Sequence, residues 1–162
     1  MEKVVFLGLG SNLGDREAFL GKALELIDHE AGKVISSSPL YETEPWGFPA
    51  EENFLNMVTE IRTEKNPDDL LHELLNIEIR MGRVRKGPGY SSRKIDIDIL
   101  LFENLTIRKE GLSIPHPLMH ERRFVLVPLC DIAPLTIHPV FNKTIVVLLD
   151  ECTDKSQVTR YK

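Results

Sequence analysis

The chain has 162 residues, enough for one domain around a single core, and one domain over 1–162 is expected. With 42% hydrophobic and 28% charged residues it has a globular composition, and no apolar run approaches the roughly 20 residues that cross a bilayer. A formal charge of −5 argues against a global positive field for nucleic acid, so neither nucleic acid nor membrane is expected as a partner. Cys130 and Cys152 have neither CxxC nor Cys/His spacing. They read as free thiols in a reducing compartment, and the apolar start Val4-Val5-Phe6-Leu7 is too short for a secretory leader. The cytoplasm is the expected location.

Val4 to Leu7 reads as a buried strand ending at Gly8, with Asn12 as the following helix cap and Asp15 as its first-turn acid. Phe19, Ala23 and Leu26, with Leu20, Leu24 and Ile27 beside them, form an apolar helical face that Gly32 terminates. Val34-Ile35 opens a second strand, and the proline-rich stretch from Ser38 to Glu52 reads as a long loop. From Phe54 to Thr63 the pattern alternates: Leu55, Met57 and Ile61 face one way, Phe54, Asn56 and Val58 the other. Asn66 caps a helix with Pro67 at its first position, and Leu70, Leu74, Ile77 and Met81 mark its apolar stripe before Gly82. A loop to Ser92 precedes a strand from Ile95 to Phe102; an apolar run from Phe124 to Leu129 and a short helix from Thr144 to Asp150 follow. The order β-α-β-β-α-β plus a C-terminal extension predicts an α+β, ferredoxin-like sandwich, with helices on one face of a mainly antiparallel sheet. That fold carries sensors, RNA binders and enzymes, so function has to come from particular residues.

The most informative residues are Lys94-Ile95-Asp96-Ile97-Asp98-Ile99. On a strand, Asp96 and Asp98 share one face while the isoleucines pack on the other. Their carboxylates stand about 6–7 Å apart. At an effective dielectric of 20 they repel by about 2–3 kcal/mol, which water, basic side chains or a divalent cation must offset. Mg²⁺ suits the pattern because it takes one or two carboxylates and completes its shell with phosphates. Alone, Asp-x-Asp is better explained by a solvated strand face. The adjoining loop shifts the balance. Arg83, Arg85, Lys86 and Arg93 lie in a Gly/Pro-containing segment, and guanidinium forks match phosphate oxygens. A cationic loop beside two carboxylates supplies the parts of phosphoryl transfer.

Other candidates are weaker by spacing. Gly8-Leu9-Gly10-Ser11-Asn12-Leu13-Gly14 is neither GxGxxG nor a Walker loop and reads as a tight strand-to-helix turn. Phe54 and Asn56 could stack and hydrogen-bond a planar ligand, but spacing alone favours core packing for Phe54 and loop bracing for Asn56. His116 and His120 lack a zinc-binding helix pattern; His116 or Arg122 could meet a phosphate, or could be surface residues.

Taken together, these residues resemble the 6-hydroxymethyl-7,8-dihydropterin pyrophosphokinases, from Val4 to about Leu149. The resemblance rests on the Gly8–Gly14 run, Ser38-Pro39-Leu40-Tyr41-Glu42-Thr43-Glu44-Pro45, Asn53-Phe54-Leu55-Asn56, Ile77-Glu78 and Gly82-Arg83-Val84-Arg85. It continues through Arg93-Lys94-Ile95-Asp96-Ile97-Asp98-Ile99-Leu100, Ile114-Pro115-His116-Pro117 and Arg122–Leu129. It implies attack of the pterin hydroxymethyl oxygen on the β-phosphorus of ATP, giving AMP and a pterin diphosphate, with ATP as co-substrate. It further implies that Asp96 and Asp98 hold two Mg²⁺ ions and that Arg83 and Arg93 assist the transfer. Arg85, Lys86, His116 and Arg122 match ATP contacts, Phe54 and Phe124 the rings around the pterin, and Asn56, Thr43 and Trp46 its polar edge. Leu75, Glu51, Tyr90 and Ser92 depart from the family pattern and bear on nucleotide contacts and loop closure. A monomer is expected, with a homodimer left open. The competing readings are a ferredoxin-like binding module, which would show no ATP turnover, and an ordinary kinase, which would release ADP.

Overall fold

Residues 3–11 alternate Val5, Leu7 and Leu9 on one side with Phe6, Gly8 and Gly10 on the other, and form strand β1 (Lys3–Ser11), an interior strand of the sheet. In this computed structural model, residues 1–44, 53–82 and 94–162 are described. β1 pairs antiparallel with β4 (Phe54–Thr63) on one side and with β5 (Asp96–Phe102) on the other. The far edge of β4 carries β2 (Lys33–Ser37) and β3 (Tyr41–Thr43), and β8 (Val158–Arg160) adds to β3. A small hairpin, β6 (Ile107–Lys109) with β7 (Leu112–Ile114), stands apart from this sheet.

Helices α1 (Arg16–Glu30) and α2 (Pro67–Arg80) cover one face, where Leu20, Ala23, Ile27, Leu70, Leu74 and Ile77 pack onto Val5, Leu7, Leu9, Leu55, Met57 and Ile61. The expected cap of α2 is present: the Asn66 side chain accepts from Asp69 N–H at 2.8 Å, ahead of Pro67. The opposite face holds α3 (Arg123–Ile132) and α4 (Ile145–Glu151), whose Val125, Leu126, Leu129, Ile145 and Leu148 pack with Phe6, Val58, Leu100 and Leu101. The ferredoxin-like α+β core is therefore present, and the C-terminal extension adds a helical layer to the face expected to lack helices.

Several local expectations need correction. β1 does not end at Gly8, because its pairing with β4 and β5 carries it to Ser11. Asp15, not Asn12, caps α1, accepting from Ala18 N–H at 3.1 Å; Glu17 is the first-turn acid, and Asn12 is buried ahead of the helix. Gly32 follows the end of α1 for reasons of room: a Cβ there would lie 2.7 Å from the Arg62 carbonyl oxygen. The loop expected from Ser38 contains β3. The apolar run at 124–129 is part of a helix despite Pro128.

Candidate active site

β5 begins with the acidic pair. Ile97 and Ile99 enter the core under α1 and α2, so Asp96 and Asp98 turn to the other face, each half-buried. Glu78 of α2, itself buried, accepts from Ile97 N–H at 2.7 Å and so pins this end of β5 to the helix. Across the sheet, Asp96 and Asp98 stand opposite Gly10 and Gly8 of β1, and those glycines stand opposite Asn56 and Val58 of β4. A glycine lane thus separates the carboxylates from Asn56. It has no room for a methyl group at one point: a Cβ on Gly10 would lie 2.9 Å from Asn56 Oδ1. Gly8 and Gly10 are therefore strand residues flooring a trough, not parts of a turn. Glycine at alternate positions of an otherwise apolar strand was the available signal.

The Asn56 amide is fixed by its neighbour on β3, since Nδ2 donates to Thr43 Oγ1 at 2.7 Å with both residues buried. Donation through nitrogen commits that end and leaves Oδ1, on the Gly10 side, as an acceptor. β3 is tied to α1 by Arg16, which donates to Glu42 Oε2 and to the Asn53 carbonyl, each at 2.8 Å. Phe54 opens β4 on the same face as Asn56, opposite Thr43.

The remaining wall comes from the C-terminal half. His116 N–H donates to the Leu100 carbonyl at 2.9 Å, bringing the imidazole beside β5 with Nε2 3.9 Å from Asp98 Oδ2. Burial pushes the His116 pKa down to about 4, with the Arg122 guanidinium acting the same way and Asp96 opposing. The ring is neutral at pH 7, and because Nδ1 accepts from Leu118 N–H at 3.1 Å, Nε2 carries the proton. His116 thus presents an N–H donor next to the carboxylates. Arg122, buried just before α3, has its guanidinium carbon 5.5 Å from the centre of the Phe124 ring.

One cleft collects Thr43, Phe54, Asn56, Asp96, Asp98, His116, Arg122 and Phe124, together with Gly8, Gly10, Glu44, Leu100 and Val125. It encloses about 690 Å³ of atom-free space including its open mouth. Beyond His116 lies a second hollow, lined among others by Arg108, Lys109, His120, His138 and Phe141. Trp46, Arg83, Arg85, Lys86 and Arg93 lie outside the described residues, as do Glu51, Tyr90 and Ser92. The flanking residues Gly82 and Lys94 are neighbours, a Cβ on Gly82 lying 3.6 Å from Lys94 Nζ, and Lys94 is two residues from Asp96. Leu75 is half-buried on α2. Among the described residues no group of three or more His, Cys, Asp or Glu side chains could hold a metal. The two carboxylates alone fit an ion that takes most of its ligands from substrate and water, as Mg²⁺ does.

Residues 6–134 match the family model described as 7,8-dihydro-6-hydroxymethylpterin-pyrophosphokinase (HPPK). The chain belongs to this family. It is 46% identical over 139 residues to the 2-amino-4-hydroxy-6-hydroxymethyldihydropteridine pyrophosphokinase of Porphyromonas gingivalis, covering 84% of this chain and 94% of that protein. The Bacillus subtilis protein of the same name is 44% identical over 133 residues, covering 82% of this chain and 79% of the relative. Among solved structures, Plasmodium falciparum HPPK-DHPS with pterin and p-hydroxybenzoate superposes with a TM-score of 0.75 at 23% identity. That likeness covers 93% of this chain and 42% of the larger one, and it shows the fold. The ferredoxin-like architecture is that of HPPK domains.

Proposed function

We infer that this chain is a diphosphokinase of folate biosynthesis, transferring the pyrophosphoryl group of ATP to the hydroxymethyl group of 6-hydroxymethyl-7,8-dihydropterin. The observation that carries this reading is the single cleft in which two carboxylates face an amide and two aromatic rings across a glycine lane, in a chain of this family.

The chemistry follows from what each residue can do. Phe54 and Phe124 supply apolar faces for a flat heterocycle, and Asn56, held by Thr43, supplies an acceptor for its N–H edge. Trp46 belongs to the same edge by its match to the family pattern. A pterin held this way points its hydroxymethyl group across the glycine lane toward Asp96 and Asp98, so attack on phosphorus starts from an aligned pair. Asp96 and Asp98 would hold two Mg²⁺ ions, which, when bound, withdraw charge from the phosphate oxygens. His116 Nε2–H and the Arg122 guanidinium offer donors to phosphate oxygens beside them. Arg83 and Arg93 assist the transfer, and Arg85 and Lys86 bind ATP, from the segment joining α2 to β5. The hydroxymethyl oxygen forms the new bond to the β-phosphorus and its proton passes to solvent, while the bond from that phosphorus to the bridging oxygen breaks and the electron pair leaves on the α-phosphate oxygen of AMP. The hollow beyond His116 leaves space for the rest of the nucleotide.

The working unit proposed is a monomer, with 1–162 as one domain. Small molecules, ATP and the pterin, are its partners. Among the described residues no helix is long and apolar enough to cross a membrane. The free thiols Cys130 and Cys152 support a cytoplasmic location.

Product analysis after incubation with the pterin, ATP and Mg²⁺ tests the reading. AMP and a diphosphorylated pterin, formed only with metal, are expected. ADP instead of AMP would overturn the reaction, and an absence of turnover by folded protein would favour a binding module.

A further inference from the structure

The residues after α4 lie beyond the stretch matched by the family model, which ends at residue 134, yet they touch both walls of the cleft. The first wall is α3. Arg122, the residue before it, makes no side-chain cap. An acceptor comes instead from the tail: Asp154 Oδ2 accepts from Arg123 N–H at 2.9 Å. The other carboxylate oxygen accepts from Ser156 N–H at 2.9 Å and from its hydroxyl at 2.5 Å, which locks the side chain with Oδ2 aimed at the helix. Arg123 returns the contact, its guanidinium donating to the Ser156 carbonyl at 3.3 Å. Partial burial pushes the Asp154 pKa up, but the Ser156 and Arg123 hydrogen bonds outweigh it and hold the carboxyl below its ordinary value. The cap is charged, which suits a helix N-terminus.

The second wall is β3. β8 pairs with it, Val158 opposite Thr43 and Arg160 opposite Tyr41, and Tyr161 N–H donates to the Leu40 carbonyl at 2.8 Å. Without β8, the strand carrying Thr43 would be a three-residue edge. The Tyr41 hydroxyl also donates to Asp131 of α3, linking the walls directly.

We propose that the segment from Asp154 to Arg160 is a strap that fixes the spacing of the two walls, with Asp154 as the positioning residue that sets where α3 begins and therefore where Phe124 stands opposite Phe54. The inference rests on the reading that these rings hold the pterin. Phe124 is the second residue of α3. Val125 and Leu126 are anchored by N–H bonds to the Arg122 carbonyl at 3.0 and 3.1 Å and by burial. Releasing the cap therefore frays the first turn, and Phe124 moves before the rest of the helix does.

The test is calorimetric titration of 6-hydroxymethyl-7,8-dihydropterin into the full chain with Mg²⁺ and a non-hydrolysable ATP analogue. Asp154→Ala is expected to weaken pterin binding roughly tenfold, and Asp154→Asn, which keeps an acceptor, by no more than about threefold. Thr144→Ala removes the cap of α4, a comparable lesion on a helix that lines no part of the cleft, and should leave the affinity within about twofold of wild type. Ser156→Ala, which unlocks the carboxylate without removing it, covers the case of an unfolded Asp154→Ala and is expected to cost about threefold. Wild-type affinity in Asp154→Ala, or in Ser156→Ala where that variant stands in, would overturn the inference, as would an equal loss in Thr144→Ala. If wild type itself binds no pterin, the reading of the site fails and takes the inference with it.

Discussion

The two faces of the sheet are built from the same strands but finished differently. Under α1 and α2, β1 contributes the buried aliphatics Val5, Leu7 and Leu9, and the two helices cover that face. On the other face, β1 contributes Phe6 beneath α3 and then Gly8 and Gly10, while β5 contributes Asp96 and Asp98 at the same level. The helices stop where the glycines and acids begin. The closed face invests its residues in stability; the half-open face withholds side chains along one lane and so keeps a cleft.

The sharpest way to separate the faces is to remove an acid. Asp96→Ala and Asp98→Ala are each expected to lower AMP formation by about a thousandfold or more, with circular dichroism and thermal midpoint retained. Near-normal rates in both would sink the metal assignment. The reverse lesion is Leu74→Ala on the closed face, where the side chain is 1% exposed. It should cost about 2–5 kcal/mol in urea unfolding and leave the pterin KM unchanged at temperatures where the variant is folded. Between these lies Gly10→Ala. Its methyl group would press on Asn56 Oδ1, so pterin affinity is expected to fall by about tenfold with at most about 1–3 kcal/mol of destabilisation. Unchanged affinity there would mean that Asn56 does not read the ligand.

The smallest effect concerns pH. Burial, aided by Arg122 for His116 and by His120 for His138, lowers both pKa values to about 4. The unfolded chain takes up these protons near pH 6.5, so this contribution to stability is complete above about 6.5 and is lost as the pH falls toward 4. Thermal melts should show the midpoint falling across that window, by about 2–4 °C for each kcal/mol lost. His138→Gln should make the fall shallower, His116 carrying the rest, and an unaltered slope would remove His138 from the account.

How far the sequence could be read depended on whether a residue's partner was local. The alternation in β4 and the Asn66-Pro67 cap of α2 are local signals, and both elements have the expected bounds within a residue or two. Asp-x-Asp on one strand face is likewise a period-two pattern. α3 was harder, because Pro128 interrupts the helical pattern and its cap sits more than 30 residues away in the tail. β8, three residues long, exists only through pairing with β3. Phe54 and Phe124 come from different faces of the chain's history, a strand start and a helix start; nothing in their spacing joins them, and only the family resemblance did. The glycine lane was misread because glycine after a short apolar run looks like a strand end unless its cross-strand neighbours are known.

β5 carries one further lesson. Its pairing with β1 slips between Phe6 and Leu7, so that Ile99 faces Leu7 and Leu101 faces Phe6, with Leu100 as the extra residue. That single insertion resets the parity of the strand: Asp96, Asp98, Leu100 and Leu101 all fall on the α3 side, and Phe102 returns to the α1–α2 core. The same seven residues can therefore be acidic at one end and greasy at the other without changing sides. Strict alternation through all seven residues would instead turn Leu101 into the α1–α2 core and Phe102 out of it, setting a chemical site and its foundation against each other.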